Sequence, residues 1–472
     1  KNNQNVVIVV PEILSSYRIS NIIRKKTGLS VGVLNSTLSS GEILDEFNAI
    51  KEDKYRVIVT TSSGALFPYQ NVGTFILMNV ESDNYYNDQS PRYNLKQVIV
   101  NYAMMLRAKI ILMTFVPSII DYSYGLKNYY QIIESENNNQ LNVEVVDLKE
   151  ELRKGNNTPI SRSLEKAFTE NAKNQNLTML IVNNKSYSSY VMCRSCGNTF
   201  VCPKCKISLQ YNKKNNVLIC PSCSNKIPFT NECDKCHSRD LKMGGFGMEQ
   251  VAEVIKAKYP NLRTKILRES SYEEYYNVMA QIEEKEIDII ITSSILSTNV
   301  DSDSIATIAI INLDSVAKSA TIDANERAYA MLVQAKQRLN KKETAKMIVQ
   351  TYNPDDTVLN DFLSTDYHGF LKKELSIRKV LKNEPFYYMN RIIVKGKYET
   401  MFKEANSIKK HLQDLLGNNV FVIGPTYNYQ YQGVQIIIKH RLNDISRFYK
   451  EIYEKYQTTS TTIIVDRYPK YM

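Results

Sequence analysis

The chain has 472 residues, a formal net charge of +11 and no tryptophan, and its sequence pI is close to 9.0. This length is enough for about three domains of ordinary size. The positive balance favours an acidic partner, most simply nucleic acid, although a well-solvated surface would give the same composition. No apolar run reaches membrane-spanning length and no signal peptide is visible, so the sequence argues against a membrane protein and against export.

Short apolar runs alternate with amphipathic stretches in the first part of the chain. The run at residues 6–10 is typical of a strand buried in a parallel sheet. The strand-like and helix-like segments of this part lie at residues 6–10, 17–26, 31–34, 41–50, 56–59, 74–78, 96–106 and 109–114. Alternation of this kind predicts a doubly wound α/β lobe.

A second alternating series occupies the middle of the chain. Its strand-like runs lie at residues 179–182, 264–267, 287–291, 307–312 and 346–350. A cysteine-rich window interrupts this series after its first strand, which predicts a small module inserted in a second α/β lobe. From residue 366 onward a helix is followed by the order β-α-β-β-α-β, which is typical of a ferredoxin-like sandwich. The predicted domains are 1–150, 151–192 together with 240–355, the inserted module at 193–239, and a C-terminal α+β domain at 356–472.

All eight cysteines of the chain fall in the inserted window as four Cys-x-x-Cys pairs. The pairs are Cys193/Cys196, Cys202/Cys205, Cys220/Cys223 and Cys233/Cys236. Two such pairs complete a tetrahedral zinc site, so eight thiolates fit two closed sites with no position for a catalytic water. A disulfide framework and unrelated core cysteines are the alternatives, and the absence of an export signal argues against the first.

The spaces between the cysteines contain only a few apolar residues, such as Ile207, Leu209, Val217 and Ile219. We expect metal binding to supply the folding energy of this segment, because so little apolar surface does not offset its backbone entropy. The sequence therefore predicts two structural Zn²⁺ ions. Reduced cysteines together with zinc indicate the cytoplasm.

Several motifs resemble the PriA family of primosomal replication-restart helicases, over the chain from Val6 to its end. They are Val10-Pro11-Glu12-Ile13, Asn79-Val80-Glu81-Ser82-Asp83, Ser90-Pro91-Arg92-Tyr93, Val145-Val146-Asp147-Leu148, Cys193-x-x-Cys196-Gly197, Gly245-x-Gly247-x-Glu249, Glu326-Arg327, Gln350-Thr351-Tyr352-Asn353-Pro354, Gly424-Pro425 and Val465-Asp466. The resemblance implies two RecA-like helicase lobes, the first of them incomplete. It also implies that Cys193, Cys196, Cys233 and Cys236 hold one zinc and that Cys202, Cys205, Cys220 and Cys223 hold the second.

The chain departs from that family at the nucleotide site. The family's glycine-rich phosphate loop, which ends in Lys-Ser/Thr, lies upstream of the strand at Val6 and is not in the sequence, and neither are the family's amino-terminal DNA-binding domains. The family's Asp-Glu-Glu-His is here Asn79-Val80-Glu81-Ser82, which lacks the carboxylate that holds magnesium. Glu81 is thus an eroded remnant of the catalytic machinery.

Three later motifs are also eroded. The family's Gly-Ser-Ala-Thr is here Met113-Thr114-Phe115-Val116, its Gly-Thr-Gln is Thr292-Ser293-Ser294, and its Gly-Arg-x-Gly-Arg finger motif is Gln337-Arg338-Leu339-Asn340-Lys341. Arg338 remains as one finger, but Lys341 does not reproduce a guanidinium fork. Together these changes argue against ATP turnover and make ATP/Mg²⁺ a doubtful cofactor.

DNA contact needs no nucleotide and is the function that we expect to remain. Tyr85, Tyr86, Arg92 and Tyr93 lie where the family has an aromatic-rich loop that senses single-stranded DNA. Aromatic rings stack on bases and Arg pairs with phosphate. Chance tyrosines are the alternative, because the chain has 32 of them. A similar surface is predicted in the C-terminal domain from Tyr427, Tyr429, Tyr431, Lys439 and Arg441.

The resemblance thus implies a replication-restart protein, and the eroded motifs predict an inactive helicase core. As the resemblance implies, its partners are single-stranded or forked DNA, primosome proteins and the single-stranded-DNA-binding protein. One alternative is an active ATP-dependent 3′–5′ DNA helicase whose phosphate loop lies upstream of this sequence. A second alternative is a zinc-stabilised interaction module with no DNA role.

Overall fold

The structure is a computed structural model that describes residues 4–89, 91–134, 142–184, 187–204, 206–221, 223–267, 272–293, 304–319, 321–339, 345–364, 367–417, 420–442 and 445–469. The chain divides into two compact units. The first comprises Lys1–Ile132 with Val465–Pro469, and the second comprises Ile133–Ile464. Among the described residues, no helix combines the length and the apolarity that crossing a bilayer requires.

The first unit contains a five-stranded parallel sheet with strand order β2-β3-β1-β4-β7. Its elements are β1 (Asn5–Val9), α1 (Ile13–Thr27), β2 (Val31–Leu34), α2 (Ser40–Lys51), β3 (Val57–Thr60), β4 (Val72–Met78), β5 (Tyr86–Asn87), β6 (Tyr93–Asn94), α3 (Leu95–Met105), β7 (Lys109–Met113) and α4 (Ile119–Leu126). The central strands form from apolar runs because helices cover both faces of a parallel sheet, and Val7 and Phe75 are fully buried. Helix α2 begins at a capping box, in which Ser39 and Glu42 exchange hydrogen bonds.

The second unit contains a six-stranded parallel sheet and an inserted antiparallel one. From Asn142 to Phe246 its elements are β8 (Asn142–Asp147), α5 (Leu148–Arg153), α6 (Arg162–Lys173), β9 (Leu177–Ile181), β10 (Ser188–Cys193), β11 (Gln210–Asn212), β12 (Val217–Ile219), β13 (Lys226–Pro228) and β14 (Leu241–Phe246). From Met248 to Val380 they are α7 (Met248–Lys258), β15 (Thr264–Leu267), α8 (Tyr272–Glu283), β16 (Ile289–Thr292), β17 (Ile305–Ile310), α9 (Asp314–Ala317), α10 (Ala324–Arg338), β18 (Lys346–Thr351), α11 (Thr357–Leu363) and α12 (Tyr367–Val380). The parallel sheet has the order β15-β16-β9-β17-β18-β8.

Strand β8 corrects the predicted boundary of the first lobe at residue 150. This strand pairs in parallel with β18, from Asn142 opposite Lys346 to Asp147 opposite Thr351, so it belongs to the second sheet. Apolar periodicity identifies a strand but carries no information about the sheet that the strand joins.

The antiparallel sheet, with order β13-β12-β11-β10-β14, is inserted between β9 and α7. Strands β10 and β14 pair from Ser188 opposite Phe246 to Cys193 opposite Leu241, so the insertion is slightly wider than the predicted 193–239. Its core is more aromatic than the sequence suggested, because Phe200 and Tyr211 pack on Phe229 with ring centroids 5.9 and 4.8 Å apart.

The C-terminal elements are β19 (Tyr388–Lys395), α13 (Tyr398–Leu416), β20 (Val420–Asn428), β21 (Gly433–His440), α14 (Ser446–Tyr456) and β22 (Thr462–Asp466). Their sheet has the order β20-β21-β19-β22, with β21 antiparallel to both of its neighbours, as in a ferredoxin-like sandwich. The predicted α/β class is therefore confirmed, with two parallel sheets, an inserted cysteine-rich module and a C-terminal antiparallel sheet.

Candidate metal centres and nucleic-acid interface

The first and last cysteine pairs come together in the fold. The sulfur atoms of Cys193, Cys196, Cys233 and Cys236 all lie within 4.8 Å of one another. Cys193 is 3.5 Å from Cys236, and Cys196 is 3.7 Å from Cys233. These distances are far longer than the roughly 2.05 Å of a disulfide. A tetrahedral zinc ion with Zn–S bonds of about 2.3 Å holds neighbouring sulfur atoms about 3.8 Å apart, so the donor set fits such an ion.

The two inner pairs form a second cluster. The sulfur atoms of Cys202, Cys220 and Cys223 lie within 4.8 Å of one another, and Cys202 is 3.8 Å from Cys223. Cys205, the predicted fourth ligand, lies outside the described residues. The two groupings match the outer-pair and inner-pair arrangement that the family resemblance implied, and both clusters have donors suited to a metal ion.

The same pattern of backbone hydrogen bonds begins at the first cysteine of each of the four pairs. The carbonyl of each first cysteine accepts a hydrogen bond from the amide four residues later, and its own amide donates to the carbonyl five residues later. The residue four positions after the first cysteine has a positive φ in every turn: 72° at Gly197, 60° at Lys206, 56° at Ser224 and 59° at His237. In the three pairs whose cysteines are both described, Cys193/Cys196, Cys220/Cys223 and Cys233/Cys236, this turn places the two sulfur atoms in the same cluster. A residue other than glycine in this conformation costs about 1–2 kcal/mol, which the rest of the turn has to offset.

The thiols of the first cluster are close enough to shift one another's pKa in opposite directions. Burial opposes ionisation of Cys193, but hydrogen bonds from the Cys196 backbone amide and from the Cys236 thiol lower the pKa of Cys193 to about 6. The backbone amide of Ser238 opposes the effect at Cys236, yet the neighbouring cysteines raise the pKa of that thiol to about 12. One thiolate thus disfavours the next, and the complete set of thiolates needs a cation.

His237 does not join the sulfur cluster. Its Nδ1 lies 2.9 Å from the Glu232 Oε1, and its side chain is largely exposed. It occupies the positive-φ position of the last turn, so its place next to Cys236 is explained by the backbone.

The remnant Glu81 contacts the strand end that carries the other eroded motif of the first unit. The Thr114 hydroxyl donates to the Glu81 Oε2 at 2.8 Å, and the Phe115 amide lies 3.4 Å from its Oε1. Asn79 precedes this contact with a positive φ of 51°. The two segments that the sequence analysis compared with family motifs are therefore in direct contact.

The two motifs that the sequence analysis predicted to be eroded in the second unit lie only partly within the described residues. Arg338 is the half-buried last residue of α10, while Asn340 and Lys341 lie outside the described residues. Thr292 is buried at the end of β16, and Ser294 also lies outside the described part of the chain.

The predicted aromatic loop is a short β-hairpin made by β5 and β6, in which Tyr86 pairs with Asn94 and Asn87 with Tyr93. The Arg92 Nε donates to the Asp88 carbonyl at 2.7 Å, which orders the hairpin loop. Tyr93 is half-buried and packs on the core of the first unit. Ser90 lies outside the described residues.

Two tyrosines of this region have hydroxyl groups with defined partners. Tyr85 is 3% exposed and donates to the carbonyls of Val9 and Met78, and burial raises its pKa. This burial does not fit the predicted stacking of Tyr85 on a base, so Tyr85 is a core residue. Tyr86 is half-buried and its hydroxyl lies 3.1 Å from both carboxylate oxygens of Asp466.

The predicted C-terminal surface is also more buried than expected. Lys439 is 6% exposed, its Nζ donates to the Leu381 carbonyl and to Asn383, and burial lowers its pKa. Tyr431 accepts from Arg391 at 3.0 Å. The other members lie beside aromatic rings. The ring centroids of Tyr427 and Tyr429 are 4.9 Å apart, and the Arg441 Cζ is 4.5 Å from the centroid of the Tyr387 ring.

A clamp that the sequence analysis missed joins the inserted sheet to α7. The Tyr187 hydroxyl donates to the Glu253 Oε2 at 2.7 Å, and the Lys213 Nζ lies 2.5 Å from the Glu253 Oε1. Partial burial opposes ionisation of Glu253, but hydrogen bonds from Lys213 and Tyr187 hold its pKa below the usual value. We name these three residues the Glu253 clamp. No spacing in the sequence signals it, because its members are 26 to 66 positions apart.

The two parallel α/β lobes, the insertion with its two cysteine clusters and the ferredoxin-like sheet define an α/β protein with a cysteine-rich module. At the level of sequence the chain is similar to replication restart protein PriA. It is 26% identical to the Bacillus subtilis protein over 474 residues, which cover 96% of this chain and 58% of that protein. It is 27% identical to the Synechocystis protein over 440 residues (89% and 53%) and 26% identical to the Borreliella burgdorferi protein over 482 residues (99% and 72%).

The predicted resemblance to PriA is therefore confirmed over almost the whole chain, although the chain spans little more than half the length of the first two of these relatives. No protein-family model matches the chain. A solved structure of RecG bound to a three-way DNA junction is similar at a TM-score of 0.43 and 11% identity, over 79% of this chain and 40% of that one. A score this low supports no argument about function.

Proposed function

We propose that the chain is a replication-restart protein of the PriA type that binds single-stranded or forked DNA at stalled replication forks. The observation that carries this proposal is the similarity to replication restart proteins over 96% of the chain, including the cysteine-rich insertion. Its partners are primosome proteins and the single-stranded-DNA-binding protein, and it acts in the cytoplasm, where its thiols stay reduced.

The metal in this proposal is zinc, one ion in each cysteine cluster. Soft thiolate ligands in tetrahedral sets select zinc, and four protein ligands leave no position for water, so each ion is structural. Cys193, Cys196, Cys233 and Cys236 hold the first ion. Cys202, Cys220 and Cys223 hold the second together with Cys205.

The helicase core of this proposal does not hydrolyse ATP. Phosphoryl transfer needs a carboxylate to hold magnesium, and Asn79 and Val80 stand where the family has two acids. Arg338 alone does not replace a pair of arginine fingers. The core is then a scaffold that carries the DNA-binding hairpin and the metal module.

DNA contact in this proposal runs through the hairpin of β5 and β6. Its loop carries Arg92 for phosphate, and Tyr86 and Tyr93 flank it with partly exposed rings that suit stacking on bases. The backbone pairing of the hairpin orders these groups before DNA arrives, which reduces the entropy lost on binding.

A second candidate is an active 3′–5′ helicase, and the contact between Glu81 and Thr114 favours it. That contact keeps the one surviving acid fixed beside the motif that couples hydrolysis to movement in the family. The third candidate, an interaction module without a DNA role, is favoured only by the erosion of the nucleotide motifs.

The test measures DNA binding and ATP hydrolysis on the same protein. Fluorescence anisotropy with fork, single-strand and duplex probes of equal length should show tighter binding to the fork and the single strand at moderate salt, without nucleotide. ATP hydrolysis with the same DNA should stay at background. Equal binding to fork, duplex and heparin would leave the interaction module, and hydrolysis that Glu81→Gln abolishes would establish the helicase.

A further inference from the structure

The positive charge of the inserted sheet is concentrated around one metal cluster. Residues 199–231, which contain the second cluster, carry five lysines and no acidic residue: Lys204, Lys206, Lys213, Lys214 and Lys226. The segments around the first cluster, 193–198 and 232–240, carry three basic and three acidic residues: Arg194, Lys235 and Arg239 against Glu232, Asp234 and Asp240. The two clusters thus have similar ligands and very different surroundings.

Three of the five lysines lie at the metal end of the β11–β12 hairpin. Lys204 lies between Cys202 and Cys205, Lys206 takes the positive-φ position of the same turn, and Lys226 pairs with Ile219, next to Cys220. We call these three the knuckle lysines. All three are exposed, and among the described residues none of them takes part in an ion pair.

The opposite end of the hairpin is already occupied. There Lys213 forms an ion pair with Glu253 of α7 in the Glu253 clamp, so its charge is already neutralised within the protein. The clamp holds the hairpin against α7 at its turn, whereas the knuckle lysines lie at its metal end, away from that contact.

Charge compensation of the thiolates is the simplest competing explanation. A divalent ion with four thiolates is an anion, and nearby lysines would stabilise it. The first cluster has the same kind of ligands, yet its neighbouring cations are balanced by acids, and Arg194 lies 3.8 Å from Asp240. A cluster in this fold therefore does not require an excess of positive charge, and the knuckle lysines need another reason.

The knuckle end also exposes apolar side chains. Val201 is 45% exposed and Ile207 is 40% exposed, and they flank the first turn of the cluster on either side. Exposed cations with apolar groups on either side suit a nucleic-acid strand, which presents charged phosphates next to sugars and bases. An acidic protein surface would match the charge, and the salt dependence of DNA binding distinguishes the two.

We propose that the knuckle end of the second cluster is a docking surface for the sugar-phosphate backbone of DNA, separate from the hairpin of β5 and β6. The proposal rests on the DNA-binding function proposed above and deepens it by naming a second contact. The knuckle lysines bind phosphates as point charges, and Val201 and Ile207 lie against the sugars. The first cluster anchors the module through β10 and β14.

The test compares two variants that lose the same charge from the same module, without touching a cysteine. The test variant combines Lys204→Gln, Lys206→Gln and Lys226→Gln, and the control variant combines Arg194→Gln, Lys235→Gln and Arg239→Gln. Binding of fluorescent single-stranded DNA is measured by anisotropy from 50 to 200 mM salt, and elemental analysis checks that the metal content is unchanged. A third variant with Lys→Arg at the three knuckle positions keeps the charge.

Each lost phosphate contact with single-stranded DNA lowers the slope of log K against log salt by about 0.7. For the test variant the magnitude of this slope should therefore fall by about 2, and DNA should bind more than tenfold more weakly. For the control variant the slope should change by less than the value of one contact. The Lys→Arg variant should keep the slope of the parent. Equal effects of the test and control variants, or none in either while the parent binds DNA, would overturn this proposal and leave the proposed function standing. A parent protein that does not bind DNA would overturn both.

Discussion

Loss of one ligand from the second cluster should unfold one half of the inserted sheet and spare the other. In Cys220→Ser the second cluster loses a thiolate and with it the metal. Burial of Phe200, Leu209, Tyr211 and Leu218 stabilises this half by about 1.5–3 kcal/mol for each side chain. Ordering the backbone costs about 1–2 kcal/mol for each residue, and residues 199–231 are far more numerous than the buried side chains. Only metal binding, worth roughly 10–16 kcal/mol for structural zinc, makes up the difference, so the segment should open when the metal is lost.

The assay combines elemental analysis with hydrogen exchange. The parent should carry two zinc ions and the Cys220→Ser protein one, with loss of amide protection confined to 199–231. The Cys193 end should stay protected because β10 and β14 pair along their whole length. His237→Gly is the matched control: it lies next to a cysteine but does not bind metal, and glycine relieves its positive φ, so it should keep both ions. One zinc or none in the parent, or full protection of 199–231 without metal, would refute the reasoning.

Three further predictions follow from the described contacts. The chain should show no DNA-stimulated ATP hydrolysis above background in a coupled assay, and turnover that disappears in Glu81→Gln would contradict this. Arg92→Ala should flatten the salt slope of DNA binding by about one contact, and Tyr93→Ala should weaken binding by about 1–3 kcal/mol if a base stacks there; unchanged anisotropy in both would remove the hairpin from the interface. Because the pKa of Glu253 is lowered in the folded protein, its ion pair with Lys213 stabilises the clamp above the usual Glu pKa, and this stabilisation is lost as the pH falls through the lowered value. Hydrogen exchange at the β11–β12 turn should therefore speed up as the parent protein is acidified. In Glu253→Gln the ion pair is missing at every pH, so exchange at this turn should be faster than in the parent at neutral pH and should not change on acidification. The difference in opening free energy should be less than about 1 kcal/mol, because the pair is half exposed.

The features that the sequence determined are those with a short-range signature. The four Cys-x-x-Cys spacings predicted metal-binding pairs, and the same pattern of backbone hydrogen bonds begins at the first cysteine of each pair. Runs such as 6–10 and 307–312 gave buried parallel strands, because only apolar side chains are tolerated on both faces of such a sheet. The β-α-β-β-α-β order likewise predicted the C-terminal sheet, since the lengths of the connections leave few ways to arrange it.

Features that depend on contacts between distant residues appeared only in the tertiary structure. The pairing of β8 with β18, the burial of Tyr85 against Val9, and the joining of Lys213 to Glu253 link positions too far apart for any local pattern to record. The predicted DNA-binding surfaces included Lys439, yet packing buries this residue, whereas the knuckle lysines are in solvent. The spacing of residues fixes which elements form, while the side of each element that meets solvent follows from what packs against it, and that is set by the whole chain.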